Sequence, residues 1–161
     1  MEKKKEKLEV KVWTDGSYST IDGVGIYGGA SLIYMGDNPT PMQCKWADHD
    51  TNWGRFRNIS GELLAVVNTL ELLVKFKDNI ERVIIFHDQK GVSAFITGEY
   101  TCRRACSRVY VQMMEKYMKE LNISFILVKA HTGVPNNELV DKLAKEAVKE
   151  HARSLQSADQ P

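Results

Sequence analysis

The sequence predicts an α/β fold: a five-stranded mixed sheet with helices on both faces, in the order βββαβααβα. Three observations predict it. β-rich runs follow one another through residues 8–49 with turn residues between them. Helical stripes and short apolar runs then alternate, the signature of strand–helix–strand crossovers. The chain of 161 residues is long enough for one domain with a real core.

The elements follow in order. Leu8 to Thr14 alternates apolar and polar residues, as a half-buried strand does. Gly23 to Tyr34 is β-rich, and Gly28-Gly29 within it marks a bulge or a close backbone approach. Asn38-Pro39-Thr40-Pro41 is a turn, and Met42 to His49 returns as a third strand. Trp53 to Asn58 is a loop carrying Arg55 and Arg57. Ser60 is suited to cap a helix over Gly61 to Phe76, where Leu63, Leu64, Val67, Leu70 and Leu73 recur at helical spacing. Arg82 to His87 is a short strand, parallel to the first because a helix precedes it. Gly91 to Ile96 is a short helix. Ser107 to Leu121 is a longer one that buries Val111, Met114, Tyr117, Met118 and Leu121. Ser124 to Lys129 is the last strand, His131 to Pro135 a loop, and Asn136 to about His151 the last helix. The domain is expected over 8–151, with a charged lead-in at 1–7 and a polar, disordered tail at 152–161.

Bulk properties narrow the classes. No run approaches the roughly 20 apolar residues of a membrane helix, and Met1 to Val10 lacks an apolar signal core. Three cysteines, an odd count, point to a reducing compartment. Cys102 and Cys106 lack the second cysteine pair that a zinc site would want, so they read as ordinary thiols. A soluble, cytoplasmic, monomeric protein is expected. The net charge of +1 leaves nucleic-acid partners open, because an acidic site and basic patches can cancel.

Four acids carry the chemistry. Asp15 and Asp88 each end a predicted buried strand, Glu62 opens one helix, and Asp141 lies inside another. Each has a bland account. Asp15 and Asp88 suit turns, Glu62 suits the first turn of a helix, and Asp141 suits a pair with Lys145. Gathered at the carboxyl ends of neighbouring strands, however, such carboxylates repel unless cations hold them. Hard divalent cations want such oxygen ligands, and a pair of them can clamp a phosphodiester. His131, on a loop ten residues before Asp141, has a pKa suited to proton transfer at neutral pH. His87 reads as partly buried structure, and His49 and His151 give no signal.

These residues resemble type 1 ribonuclease H, in its short form without a long basic handle or a hybrid-binding domain. The family pairs an Asp-Gly-Ser strand end with a helix-opening Glu, a strand-end Asp, and a loop His followed by a helical Asp. Here those are Asp15, Glu62, Asp88, His131 and Asp141. The segment from His131 to Ala147 is similar to the family's His-x-Gly-x-x-x-Asn-Glu-x-x-Asp-x-Leu-Ala pattern, and the resemblance spans about Val10 to Glu150. Two departures stand out. Gln89 follows Asp88 where many relatives have a small hydroxyl residue, and Gly98 to Arg104 replaces the long basic helix-loop.

The resemblance implies a ribonuclease H-like fold and hydrolysis of the RNA strand of an RNA–DNA hybrid, leaving 3′-hydroxyl and 5′-phosphate ends. It implies two Mg²⁺ ions, replaceable by Mn²⁺, on Asp15, Glu62, Asp88 and Asp141, with His131 assisting. Gly16, Ser17 and Asn58 are the expected readers of the hybrid's groove and 2′-hydroxyls. Tyr100, Arg103 and Arg104 are the expected backbone contacts. Asn137 is expected to fasten the loop to the last helix. Three alternatives stay open: a non-catalytic hybrid-binding module, the nuclease domain of a reverse transcriptase, and another nuclease of this fold. The four carboxylates speak against the first, the charged start against the second, and the His131 loop against the third.

Overall fold

The computed structural model describes residues 6–49, 58–103, 105–129 and 134–158. Its elements are β1 (Leu8–Ile21), β2 (Val24–Met35), β3 (Met42–His49), α1 (Asn58–Val74), β4 (Ile80–His87), α2 (Gly91–Thr97), α3 (Ala105–Glu120), β5 (Ile123–Leu127) and α4 (Pro135–Ala158). The strands form one sheet in the order β3-β2-β1-β4-β5. β1, β2 and β3 pair antiparallel, whereas β4 pairs parallel to both β1 and β5. The expected order and mixed sheet are therefore observed.

Both faces of β2 are buried, and its residues alternate between two cores. Ile33 joins Val10, Val12, Val83 and Ile85 beneath Leu63, Val67 and Leu70 of α1 and Tyr110 and Met114 of α3. Ala30 and Leu32 point the other way, onto Val140, Leu143 and Ala144 of α4. Ile26 meets Val148 and Ala152 further along that helix. Burying one such aliphatic side chain contributes about 1.5–3 kcal/mol. Tyr110 donates its hydroxyl to the Val92 carbonyl at 2.6 Å, tying α3 to α2.

Four expectations change. β1 does not end near Thr14 but runs on to Ile21 and turns at Asp22-Gly23, both at positive φ (52° and 77°). Two positive φ values suit a tight hairpin, which keeps the β1–β2 ladder paired to its tip. Ser60 is no N-cap: α1 begins at Asn58, and the Ser60 side chain is fully buried. Met118 is 41 % exposed, and Tyr110 takes the inward place on α3. The tail is not wholly disordered, since α4 continues to Ala158. Ala152 is buried against Ile26, and Leu155 packs on the same cluster, so the last turns have an apolar face to cover.

Gly28-Gly29 marks a close approach rather than a bulge, because the β1–β2 register runs through it without interruption. A Cβ on Gly29 would overlap the Gly61 carbonyl, and one on Gly61 would overlap the Gly28 carbonyl. On the other face, a Cβ on Gly28 would sit 2.8 Å from Val148 Cγ2 of α4. The two helices thus sandwich β2 at this glycine pair, and α1 meets the sheet backbone to backbone.

Candidate active site

The sheet register brings Asp15 and Asp88 level. Parallel pairing of β1 with β4 ends at Trp13 opposite Phe86, whose rings stack 4.4 Å apart. Asp15 and Asp88 each lie two residues further on, at the carboxyl end of the parallel pair. Asp15 shares the face of Trp13, the side that α4 covers. That places it within electrostatic reach of Asp141.

Glu62 arrives from α1 through the glycine contact. A Cβ on Gly16 would overlap the Glu62 backbone nitrogen, so this position of β1 admits only glycine while the helix keeps its place. Asp15 is 7 % exposed and Glu62 5 %. One oxygen of each carboxyl lies within 4.8 Å of the other, close enough for the two groups to share a proton. Gly16 N–H donates to Asp15 Oδ1 at 2.8 Å. Glu62 Oε2 is buried with no hydrogen-bond partner among the described residues. Asp15, Glu62 and Asp88 each offer an oxygen, and all three oxygens lie within 4.8 Å of one another.

Burial is the main reason these acids resist ionisation. It raises Asp15 to about 6, assisted by the charges of Asp88 and Asp141 and opposed by its hydrogen bonds. Burial, then the contact with Asp15, raises Glu62 well above the usual carboxylate range. An orphaned buried oxygen inside a cluster of repelling carboxyls is the chemistry a hard divalent cation resolves. The residues therefore fit such a cation.

Asp141 stands slightly apart. It accepts from Lys145 Nζ at 2.9 Å, one turn along α4. The pairing that would account for Asp141 as a surface acid is thus present, and the Lys145 ammonium also feels Asp15. The start of α4 is fastened by Tyr34, whose hydroxyl donates to Asn136 Oδ1 at 2.8 Å. The expected fastener was Asn137, whose Nδ2 is buried without a partner among the described residues. The loop it would fasten, residues 131–133, lies outside the described residues, and the observed tie from Asn136 runs to β2, whose Tyr34 is a partner only in three dimensions.

The remaining expected residues are less tightly gathered. Ser17 follows Gly16 beside the start of α1, and a Cβ on Gly61 would lie 3.0 Å from its nitrogen. Asn58 opens α1, but its side chain lies outside the described residues, as do His131 and Arg104. Arg103 is exposed, and its carbonyl accepts from Arg108 Nη1 at 3.1 Å. Tyr100 is 39 % exposed and stands edge-on to Phe95. Lys90, two residues past Asp88, lies 5.9 Å from the Tyr100 ring centroid and pairs with Glu99 at 2.6 Å. Lys90 was not singled out in the sequence, where a lone lysine after an acid carries no signal. His87 is wholly buried rather than partly, with Nδ1 2.9 Å from the Gln89 carbonyl oxygen.

Known proteins resemble the chain along most of its length. The chain is 30% identical over 154 residues to the ribonuclease H of a Wolbachia sp. (strain wRi), covering 88% of this chain and 97% of the relative. It is 29% identical over 148 residues to that of Neorickettsia sennetsu, covering 85% and 91%. Among solved structures it superposes on LC11-RNase H1 from a compost metagenome, with a TM-score of 0.70, 18% identity and coverage of 89% and 98%. It also superposes on an N-terminal RNase H domain from Mycobacterium tuberculosis, with a TM-score of 0.69, 18% identity and coverage of 91% and 99%. With the acids of β1, α1 and β4 converged on one point, and residues 7–149 matching the RNase H family, the chain belongs to that family of nucleases.

Proposed function

We propose that the chain hydrolyses the RNA strand of RNA–DNA hybrids, leaving 3′-hydroxyl and 5′-phosphate ends. The observation that carries this is the convergence of Asp15, Glu62 and Asp88 around a buried, partnerless Glu62 oxygen. A fold relative, LC11-RNase H1, has been solved in complex with an RNA/DNA hybrid, at a TM-score of 0.69 and 18% identity.

On this proposal Asp15, Glu62 and Asp88 would hold one Mg²⁺, and Asp15 with Asp141 a second; Mn²⁺ would substitute for either. When bound, such ions lower the pKa of an attacking water and stabilise the departing 3′ oxygen. The chain's own residues do the rest. Gly16 orients the Asp15 carboxylate through its N–H. Lys145 pairs with Asp141 and would have to release it for Asp141 to hold a cation. His131 carries a proton to or from the reacting oxygens. Ser17 and Asn58 distinguish RNA by its 2′-hydroxyls and groove shape. Tyr100, Arg103 and Arg104 hold sugar and phosphates without reading bases.

A cleavage assay with Mg²⁺ on matched hybrid, double-stranded RNA and double-stranded DNA tests this. The RNA strand of the hybrid alone should be cut. Equal cutting of double-stranded DNA, or none of the hybrid, would overturn the proposal.

A further inference from the structure

A second group of ligand side chains lies where β3 meets the far part of α4. His49 Nδ1 is 2.7 Å from His151 Nε2. The Asp48 carboxylate is 3.8 Å from the same His49 nitrogen. One nitrogen from each ring and one Asp48 oxygen lie within 4.8 Å of one another. Asp141 and His151 are ten residues apart on α4, about 15 Å along the axis, so this cluster is separate from the catalytic acids.

We propose that Asp48, His49 and His151 bind a late first-row divalent cation such as Zn²⁺, which staples the edge strand β3 to α4. Two imidazoles and one carboxylate suit such ions, whereas Mg²⁺ prefers all-oxygen shells. At zinc–nitrogen bonds of about 2.0–2.1 Å, two tetrahedral ligand nitrogens sit about 3.4 Å apart. The rings need to part by well under an ångström. The rings have room to do so, since the His49 side chain is 38 % exposed and His151 is half-buried. Without a cation the short nitrogen–nitrogen contact is one ring's N–H donating to the other's lone pair; on cation binding the donating ring carries that proton on its other nitrogen, and both facing nitrogens present lone pairs to the metal. Three protein ligands leave coordination positions open to water. The staple lies on a seam already crossed by Lys45, which pairs with Glu150 at 2.7 Å and Glu146 at 3.8 Å. It closes the seam at the last residue of β3.

The probe is Zn²⁺ titrated into the full chain with Mg²⁺ in excess to occupy the carboxylate site. Side-chain ¹⁵N spectra of wild type should show His49 and His151 shifting together on Zn²⁺ addition, with buried His87 unmoved. Zn²⁺ should also raise the melting temperature. His151→Ala should weaken Zn²⁺ binding by more than the roughly 10–100-fold that loss of an outer partner costs. His49→Gln should do the same and guards against a folding defect in the first variant. Mg²⁺-dependent activity should be unchanged in both. Zn²⁺ bound as tightly by both variants as by wild type, or wild-type histidine signals that do not respond, would overturn the proposal.

Discussion

The carboxyl groups of Asp15 and Glu62 bring oxygens within 4.8 Å of each other although one belongs to a strand and the other to a helix. The contact exists because Gly16, Gly29 and Gly61 let α1 touch the β1–β2 ladder with no side chain between. Backbone proximity thus sets carboxylate proximity, and burial then makes two nearby charges costly.

Asp15 has its pKa raised from 3.8 to about 6, so between those values the folded chain holds a proton that the unfolded chain releases. Stability from this group is full at the acid end and is lost as pH rises through about 6. His87 acts in the opposite sense, because burial lowers its pKa and acid favours its unfolding. The difference between wild type and Asp15→Asn cancels the His87 contribution and reads Asp15 together with its neighbour Glu62. In chelator, the stability gained by Asp15→Asn should grow as pH rises through about 6 and go on growing as Glu62, held up in part by the Asp15 charge, ionises in turn. Urea denaturation over a pH series measures it, and Mg²⁺ should reverse the advantage in favour of wild type.

Gly61→Ala should destabilise the chain by several kcal/mol, at or above the usual 1–3 kcal/mol for overpacking, because the atom in its way is the Gly28 backbone. Any folded fraction should have Glu62 displaced and little nuclease activity. Thermal melting with activity per folded molecule checks both. A variant as stable as wild type would mean that α1 and β2 are not in backbone contact.

His131→Ala should slow turnover while leaving Mg²⁺ binding nearly intact. Acid–base assistance is worth about 10²–10⁴-fold, and an assisting role less. Calorimetry against steady-state rates separates the two effects. Lost metal binding would make His131 a ligand, and unchanged turnover would make it a bystander.

Arg103→Ala with Arg104→Ala should weaken hybrid binding and flatten its dependence on salt, by roughly 0.9 in log–log slope per lost phosphate contact. Turnover at saturating substrate should hold. Affinities over a salt series decide it. Curves that coincide with wild type would move attention to Lys90 and Tyr100, the ammonium 5.9 Å from the ring centroid.

Much of this was legible in the chain. Strand alternation placed Asp15 and Asp88, and helical spacing placed Glu62 and Asp141, so three of the four acids converge as the pattern required. What escaped depends on partners distant in sequence. Leu155 looks like tail until Ile26 and its neighbours offer α4 a surface. Asn136 looks no different from Asn137 until Tyr34 reaches it. His49 and His151 are unremarkable until β3 and α4 pack. The run of β1 to Ile21 was readable, because Asp22-Gly23 is a hairpin signal in its own right, but the run of polar residues before it masked the strand.

On the function proposed above, the acid cluster is a cation-dependent hybrid nuclease site. Single-turnover cleavage of a hybrid's RNA strand by wild type and by Asp15→Asn, with Mg²⁺ and with chelator, tests it most directly. Wild type with Mg²⁺ should cut and leave 5′-phosphate ends, while the folded variant and the chelated wild type should not cut measurably. A folded Asp15→Asn protein that cuts at the wild-type rate, or wild type that cuts in chelator, would contradict it.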